Sequence, residues 1–218
     1  MTVGFLILAG AVAVSDWFAV SRRLYRIEYL AKPLTLVLLI VAACFADLGA
    51  TKPWVLAALG LGLLGDIALL FTDENRPADA AQPDVPFLVG LGCFLLGHIA
   101  YVIAFTRHGL HPIQLLAGGL VVVGAAALAL PKTLRGARRQ GGRELAVPVG
   151  GYAALLSAMT VLGFGTAAIA TAIGALLFLL SDLTLAWGRF VQPLMRGPVI
   201  VAVTYHLAQL LIVIGLIR

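Results

Sequence analysis

Two aspartates sit where water is not expected to reach them. Asp182 lies within the apolar run from Gly174 to Phe190, and Asp66 lies in a second run upstream. Their flanks match in pattern, Leu63-Leu64-Gly65-Asp66-Ile67-Ala68-Leu69 against Leu179-Leu180-Ser181-Asp182-Leu183-Thr184-Leu185. Insertion scales put an aspartate at the centre of a membrane helix at roughly 2.5–3.5 kcal/mol, so a carboxyl kept there is expected to work. Two carboxyls in one site of low dielectric divide the roles, one keeping its proton and one ionised. That division separates a general acid from a general base. The bland alternative gives each aspartate a hydrogen bond to a Ser, Tyr or backbone group on a neighbouring helix.

Other polar residues follow helical spacing. Phe94, His98, Tyr101 and Phe105 recur at i, i+4, i+7 and i+11, one face of a helix. Such a stripe reads as packing, with His98 as the member that could line a cavity. Tyr205 and Gln209 stand one turn apart. Lys32 reads either as a snorkelling interfacial lysine or as a partner for a lipid phosphate. Asp16 stands close to an arginine-rich stretch and is expected to pair with those arginines. A metal would need His98, His206 and an aspartate to meet, and no HxxxH or HExxH spacing supports that, so no metal ligands are assigned. Gly60-Leu61-Gly62-Leu63-Leu64-Gly65 fits GxGxxG but has no preceding strand; its glycines are expected to allow close helix approach instead.

The elements holding these residues follow from composition. The chain has 218 residues, 61% hydrophobic and 11% charged, with a mean hydropathy of +1.04. Soluble domains run nearer 45–50% apolar and about 25% charged. The expected fold is all-α: a polytopic membrane protein forming one transmembrane domain over residues 1–218. The net charge of +5 comes from loops between spans, so no nucleic-acid partner is expected. Cys44 and Cys93 lie in apolar runs and read as reduced core residues. No charged n-region or cleavage site precedes the first run, so it is expected to be a mature span.

Pro33, Pro53, Pro86, Pro112, Pro148 and Pro198 are each expected to open an apolar run, where the missing N–H costs nothing. With about 20 residues per crossing, eight helices are predicted, near 3–20, 32–49, 53–71, 86–106, 112–130, 147–164, 167–187 and 198–217. The basic stretch Lys132 to Arg143 falls in a predicted loop, as does the polar stretch Asp73 to Val85. Twelve of the fifteen Lys and Arg residues fall in odd-numbered loops. The positive-inside rule then predicts a plasma (inner) membrane protein with both termini outside. Asp66, Asp182, Tyr152 and Tyr205 converge on the cytoplasmic half, predicting a cavity open to the inner leaflet. The matched aspartate segments, 116 residues apart, also suggest a 4+4 parallel internal repeat.

Several segments together resemble the YhhN-like lysoplasmalogenase family of integral membrane proteins. They are Tyr29-Leu30-Ala31-Lys32-Pro33-Leu34, Gly65-Asp66 with Leu69, Phe87 to Phe105 with His98 and Tyr101, Tyr152, the helix carrying Ser181-Asp182 and Arg189-Phe190, and Tyr205 to Gln209. His206 departs from the pattern. The resemblance implies a hydrolase that cleaves the sn-1 vinyl ether of a lysoplasmalogen, releasing a fatty aldehyde and a glycerophospho headgroup without a cofactor. It implies Asp66 and Asp182 as the catalytic pair. Lys32, His98, Tyr101, Tyr152, Ser181, Tyr205 and Gln209 would contact the lysolipid. Two other classes fit the same residues: a proton-coupled transporter with the aspartates as relay, and a lipid carrier or lipid-binding membrane protein.

Overall fold

Length and apolarity dictate helices that satisfy their own backbone, because hydrocarbon offers no hydrogen-bond partners. The structure, a computed structural model, describes residues 1–72 and 85–218. Its helices are α1 (Thr2–Arg22), α2 (Tyr25–Phe45), α3 (Lys52–Leu69), α4 (Val85–His108), α5 (Pro112–Gly165), α6 (Ile169–Phe190) and α7 (Gly197–Leu216). All seven are long and apolar enough to cross a bilayer. The chain is an integral membrane protein. The polar stretch expected as a loop, with Arg76, falls at 73–84, outside the described residues.

Helix α5 departs from expectation. The predicted loop across Lys132 to Arg143 is mostly helical, and the 54 residues of α5 are two helices that meet at a kink. A straight helix of that length would reach about 81 Å, far beyond a bilayer. The backbone instead breaks at Gly141 (φ −145°, ψ 26°) and Gly142 (φ 62°, ψ −151°), the second in a region open in practice only to glycine. The two arms, 112–140 and 143–165, fold back on one another. The His111 amide donates to the Gly165 carbonyl at 2.8 Å, and Gly118 lies against Val161 and Phe164. The run from Lys132 to Gln140 continues the helix because its three arginines, with Lys132, Leu134, Ala137 and Gln140, are good helix formers that outweigh Thr133 and Gly136.

Two prolines also contradict the predicted boundaries. Pro33 lies inside α2 and Pro148 inside α5, so neither opens its helix. Surrounding helices let a span carry an internal proline that an isolated helix would not tolerate. Helix α2 starts early because its first turns dock: the Tyr29 hydroxyl donates to the Leu70 carbonyl at 2.7 Å. Lys32 pairs with Glu28 at 3.6 Å one turn away. At the far end Lys52 donates to the carbonyls of Cys44 (2.6 Å) and Ala46 (3.3 Å), covering the otherwise open end of α2. Both cysteines are free; Cys44 is exposed and Cys93 only partly buried, so neither is a core residue as expected.

Each helix packs on its neighbours in sequence, and α7 returns to α1 and α2, closing the bundle. Glycines set the closest approaches. Gly62 leaves room for Tyr205 and Gln209 of α7, and Gly65 for the Phe94 ring, whereas Gly60 faces open space. Gly174 lets α6 approach the α7 backbone: a Cβ there would lie 2.9 Å from the Ala208 carbonyl oxygen. Gly174→Ala should therefore destabilise the fold by about 1–3 kcal/mol, the usual cost of overpacking. Gly188→Ala on the same helix should be neutral or mildly stabilising, since nothing lies within 4 Å of its missing Cβ. Thermal unfolding in detergent checks both, and equal melting temperatures would show that the α6–α7 contact yields.

Candidate active site

The buried polar residues form separate nests. In the first, the Tyr152 hydroxyl on α5 donates to Asp182 Oδ2 on α6 at 2.6 Å. His98 of α4 places Nε2 3.8 Å from the same oxygen, beyond hydrogen-bond reach. Both His98 ring nitrogens are buried with no hydrogen-bond partner among the described residues. The ring itself is held edge-on by Tyr152 (centroids 5.4 Å) and Phe178 (4.8 Å).

The second nest is a directional chain. The Tyr101 hydroxyl donates to Gln209 Oε1, and Gln209 Nε2 donates to the Tyr205 hydroxyl at 3.2 Å. The Tyr205 hydroxyl lies near the Asp66 carboxyl, whose Oδ2 has no hydrogen-bond partner among the described residues. Accepting from Gln209 leaves the Tyr205 proton available to that carboxyl, so each donor passes polarity toward Asp66. Phe178 packs against both sides, 4.8 Å from the His98 centroid and 5.4 Å from that of Tyr205.

The nests differ in access. A cavity of ≈ 70 Å³ opens beside Asp182 and Tyr152, walled by α4, both arms of α5, and α6. Its walls are apolar, Phe87, Leu130, Leu156 and Leu183 among them; Thr133 and Arg189 are its other polar members. Asp66 is 2% exposed, whereas the Asp182 side chain is 14% exposed. Asp182 can therefore meet a guest molecule directly, while Asp66 stands outside this lining with His98, Tyr101, Tyr205 and Gln209. Ser181 turns the other way, its hydroxyl 3.3 Å from the Val201 carbonyl on α7. Lys32 is also absent from the lining.

A third nest was discounted in the sequence. Asp16 is fully buried, and neither carboxylate oxygen has a hydrogen-bond partner among the described residues. The expected ion pair with neighbouring arginines is absent among those residues. Instead Asp16 Oδ2 lies 3.8 Å from His206 Nδ1, which accepts from Trp17 Nε1 at 3.2 Å. That bond selects the neutral His206 tautomer with its proton on Nε2. Only the placement of α1 against α7 could reveal this contact, since 189 residues separate Trp17 from His206. Arg189, which in the sequence reads only as part of the Ser181 to Phe190 motif, also lines the cavity. Among the described residues, no group of three or more His, Cys, Asp or Glu side chains is placed to hold a metal ion.

The YhhN family profile matches residues 27–216. The chain belongs to the YhhN family. The YhhN match takes in α3 to α7 with both candidate aspartates and leaves out Asp16 and Trp17 of α1. Lysoplasmalogenase TMEM86B from Homo sapiens is 35% identical over 132 residues, covering 61% of this chain and 54% of the relative. The same-named protein from Sus scrofa is 38% identical over 126 residues, 58% of this chain and 52% of the relative. That from Mus musculus is 30% identical over 174 residues, 78% and 66%. The chain thus spans about half the length of the human and pig relatives. No solved structure matches at a significant level.

The hydrogen-bonded chain makes a stability prediction. Gln209→Leu leaves the Tyr101 and Tyr205 hydroxyls in an apolar interior without their partner, which should cost about 1–3 kcal/mol. Adding Tyr101→Phe removes one orphaned group and should recover part of that loss. Melting temperatures of the single and double variants in detergent test this; strictly additive losses would mean the two side chains are not coupled.

Proposed function

We propose that this protein hydrolyses the sn-1 vinyl ether of a lysoplasmalogen, releasing a fatty aldehyde and a glycerophospho headgroup. One observation carries the reading: a carboxyl held by a tyrosine hydroxyl faces an apolar cavity within a membrane bundle. The lysoplasmalogenase names of the relatives support the substrate class.

The chemistry needs a proton on the β-carbon of the vinyl ether, which leaves an oxocarbenium-like cation. Asp182 in its protonated form supplies that proton. The resulting carboxylate stabilises the cation and accepts a proton from the water that adds to the α-carbon. The hemiacetal then breaks its bond to the glycerol oxygen, giving aldehyde and alcohol. Glycoside hydrolases handle the same kind of cation with carboxyl groups. Tyr152 orients the Asp182 carboxyl, and His98 stands close enough to move onto it. Asp66 is the second member of the pair, acting from behind the Phe178 and Tyr205 rings. Tyr101 and Gln209 hold Tyr205 in register, and Ser181 fixes α6 against α7. No cofactor enters this scheme. Both termini are placed outside, with the cavity toward the cytoplasmic leaflet, by the positive-inside rule.

Asp182→Asn should remain folded and lose roughly 10²-fold or more of its aldehyde release, the usual scale for removing a general acid or base. Asp66→Asn should also lose activity while still binding lysolipid. The assay is aldehyde production from defined lysoplasmalogen by purified protein in detergent. Unchanged turnover in both variants would end the carboxyl mechanism. Absence of aldehyde from wild type, together with substrate-driven proton movement in liposomes, would favour a transporter. For orientation, a reporter fused after Arg218 should signal the outside; a cytoplasmic signal would reverse the leaflet.

A further inference from the structure

We propose that Arg189 binds the phosphate of the lysolipid and so sets its depth in the Asp182 cavity. This inference rests on the lysolipid reading above and extends it to headgroup selection.

Among the described residues, Arg189 is the one cation lining the cavity that also contains Asp182. Both side chains come from α6, seven residues apart, which is almost two full turns and therefore one face of the helix. The rise between them is about 10.5 Å at 1.5 Å per residue. A glycerol unit with its phosphoester is shorter than that rise; the difference is within reach of an arginine side chain, whose Cα–Cβ bond tilts toward the helix N-terminus and so toward Asp182. With the vinyl ether at Asp182, the phosphate is thus brought to the exposed end of the cavity, where Arg189 stands.

The arginine is also prepared for the role. Its guanidinium lies over the Phe87 ring, 5.0 Å from the centroid. Stacking on an aromatic face holds the plane and leaves the N–H fork at its edge free to meet two phosphate oxygens. Among the described residues no carboxylate pairs with it. Lys32 is the poorer candidate on each count. Its ammonium is engaged by Glu28 at 3.6 Å, and it is not part of the lining.

The test is equilibrium binding to purified protein in detergent, using fluorescent lysophosphatidylcholine and a monoacylglycerol of the same chain length. Arg189→Gln should weaken the phospholipid by roughly 10-fold or more, the scale of a lost charge-assisted bidentate contact. It should leave the monoacylglycerol within about two-fold. Arg189→Lys, which keeps the charge and the stem, should recover part of the preference, and Lys32→Gln should not change it. Equal losses for both lipids, no phospholipid preference in wild type, or a preference lost in Lys32→Gln but kept in Arg189→Gln would each overturn the assignment. Binding is read without turnover, so the two proposals separate. A preference governed by Arg189 without aldehyde release would keep the phosphate site and reject the hydrolase. Aldehyde release with the preference unmoved by Arg189→Gln would do the reverse.

Discussion

A carboxyl group inside a membrane-spanning helix has to replace the water it left behind, and the bundle is arranged around that demand. Asp182 meets it with the Tyr152 hydroxyl at 2.6 Å and an opening at its side. Asp66 lies enclosed near Tyr205, whose hydroxyl is held by Gln209 and, through it, Tyr101. These partners come from other helices, so α3, α4, α5, α6 and α7 must pack together before both aspartates can be tolerated. A half-satisfied buried network is costly, and that cost ties the polar interior to the fold.

Close helix approach is what makes the arrangement possible. Gly62 and Gly65 on α3 leave space for Tyr205, Gln209 and Phe94, and Gly174 on α6 leaves space for the α7 backbone. In lipid, where burying apolar surface gives no advantage over contact with acyl chains, small residues and interhelical polar contacts carry association. The same glycines that loosely imitate a nucleotide-binding motif therefore serve packing. They allow bulky aromatic and amide side chains to converge beside the aspartates.

Phe178 gives the interior its asymmetry. It stands between two polar nests that resemble one another in composition, one closed and one reached from the cavity. The open nest continues along α6 to Arg189 at the exposed end. A single helix face thus presents a carboxyl at one depth and a guanidinium two turns further on, with apolar walls between. That spacing, shortened by the reach of the arginine side chain, would suit an amphiphile with one polar end and one reactive bond.

The sequence by itself determined a good deal. Hydropathy and the near absence of charge required an all-helical membrane protein, and the cost of burial singled out Asp66 and Asp182. The i, i+4, i+7 stripe of Phe94, His98 and Tyr101 marked a buried face, and all three are indeed buried. These features are local or thermodynamic, so they are legible without coordinates. Boundaries were less so, because neighbours in a bundle tolerate Pro33 and Pro148 inside helices and let α5 continue helical to its glycine break. Only the tertiary structure decided which residues meet. It gave Asp182 to Tyr152 and the cavity, enclosed Asp66, set Asp16 beside His206, turned Ser181 toward α7 and set Arg189 rather than Lys32 in the cavity wall. The reason is physical: periodicity specifies the face of a helix, but which neighbour that face meets depends on the rotation and approach of helices far apart in the chain.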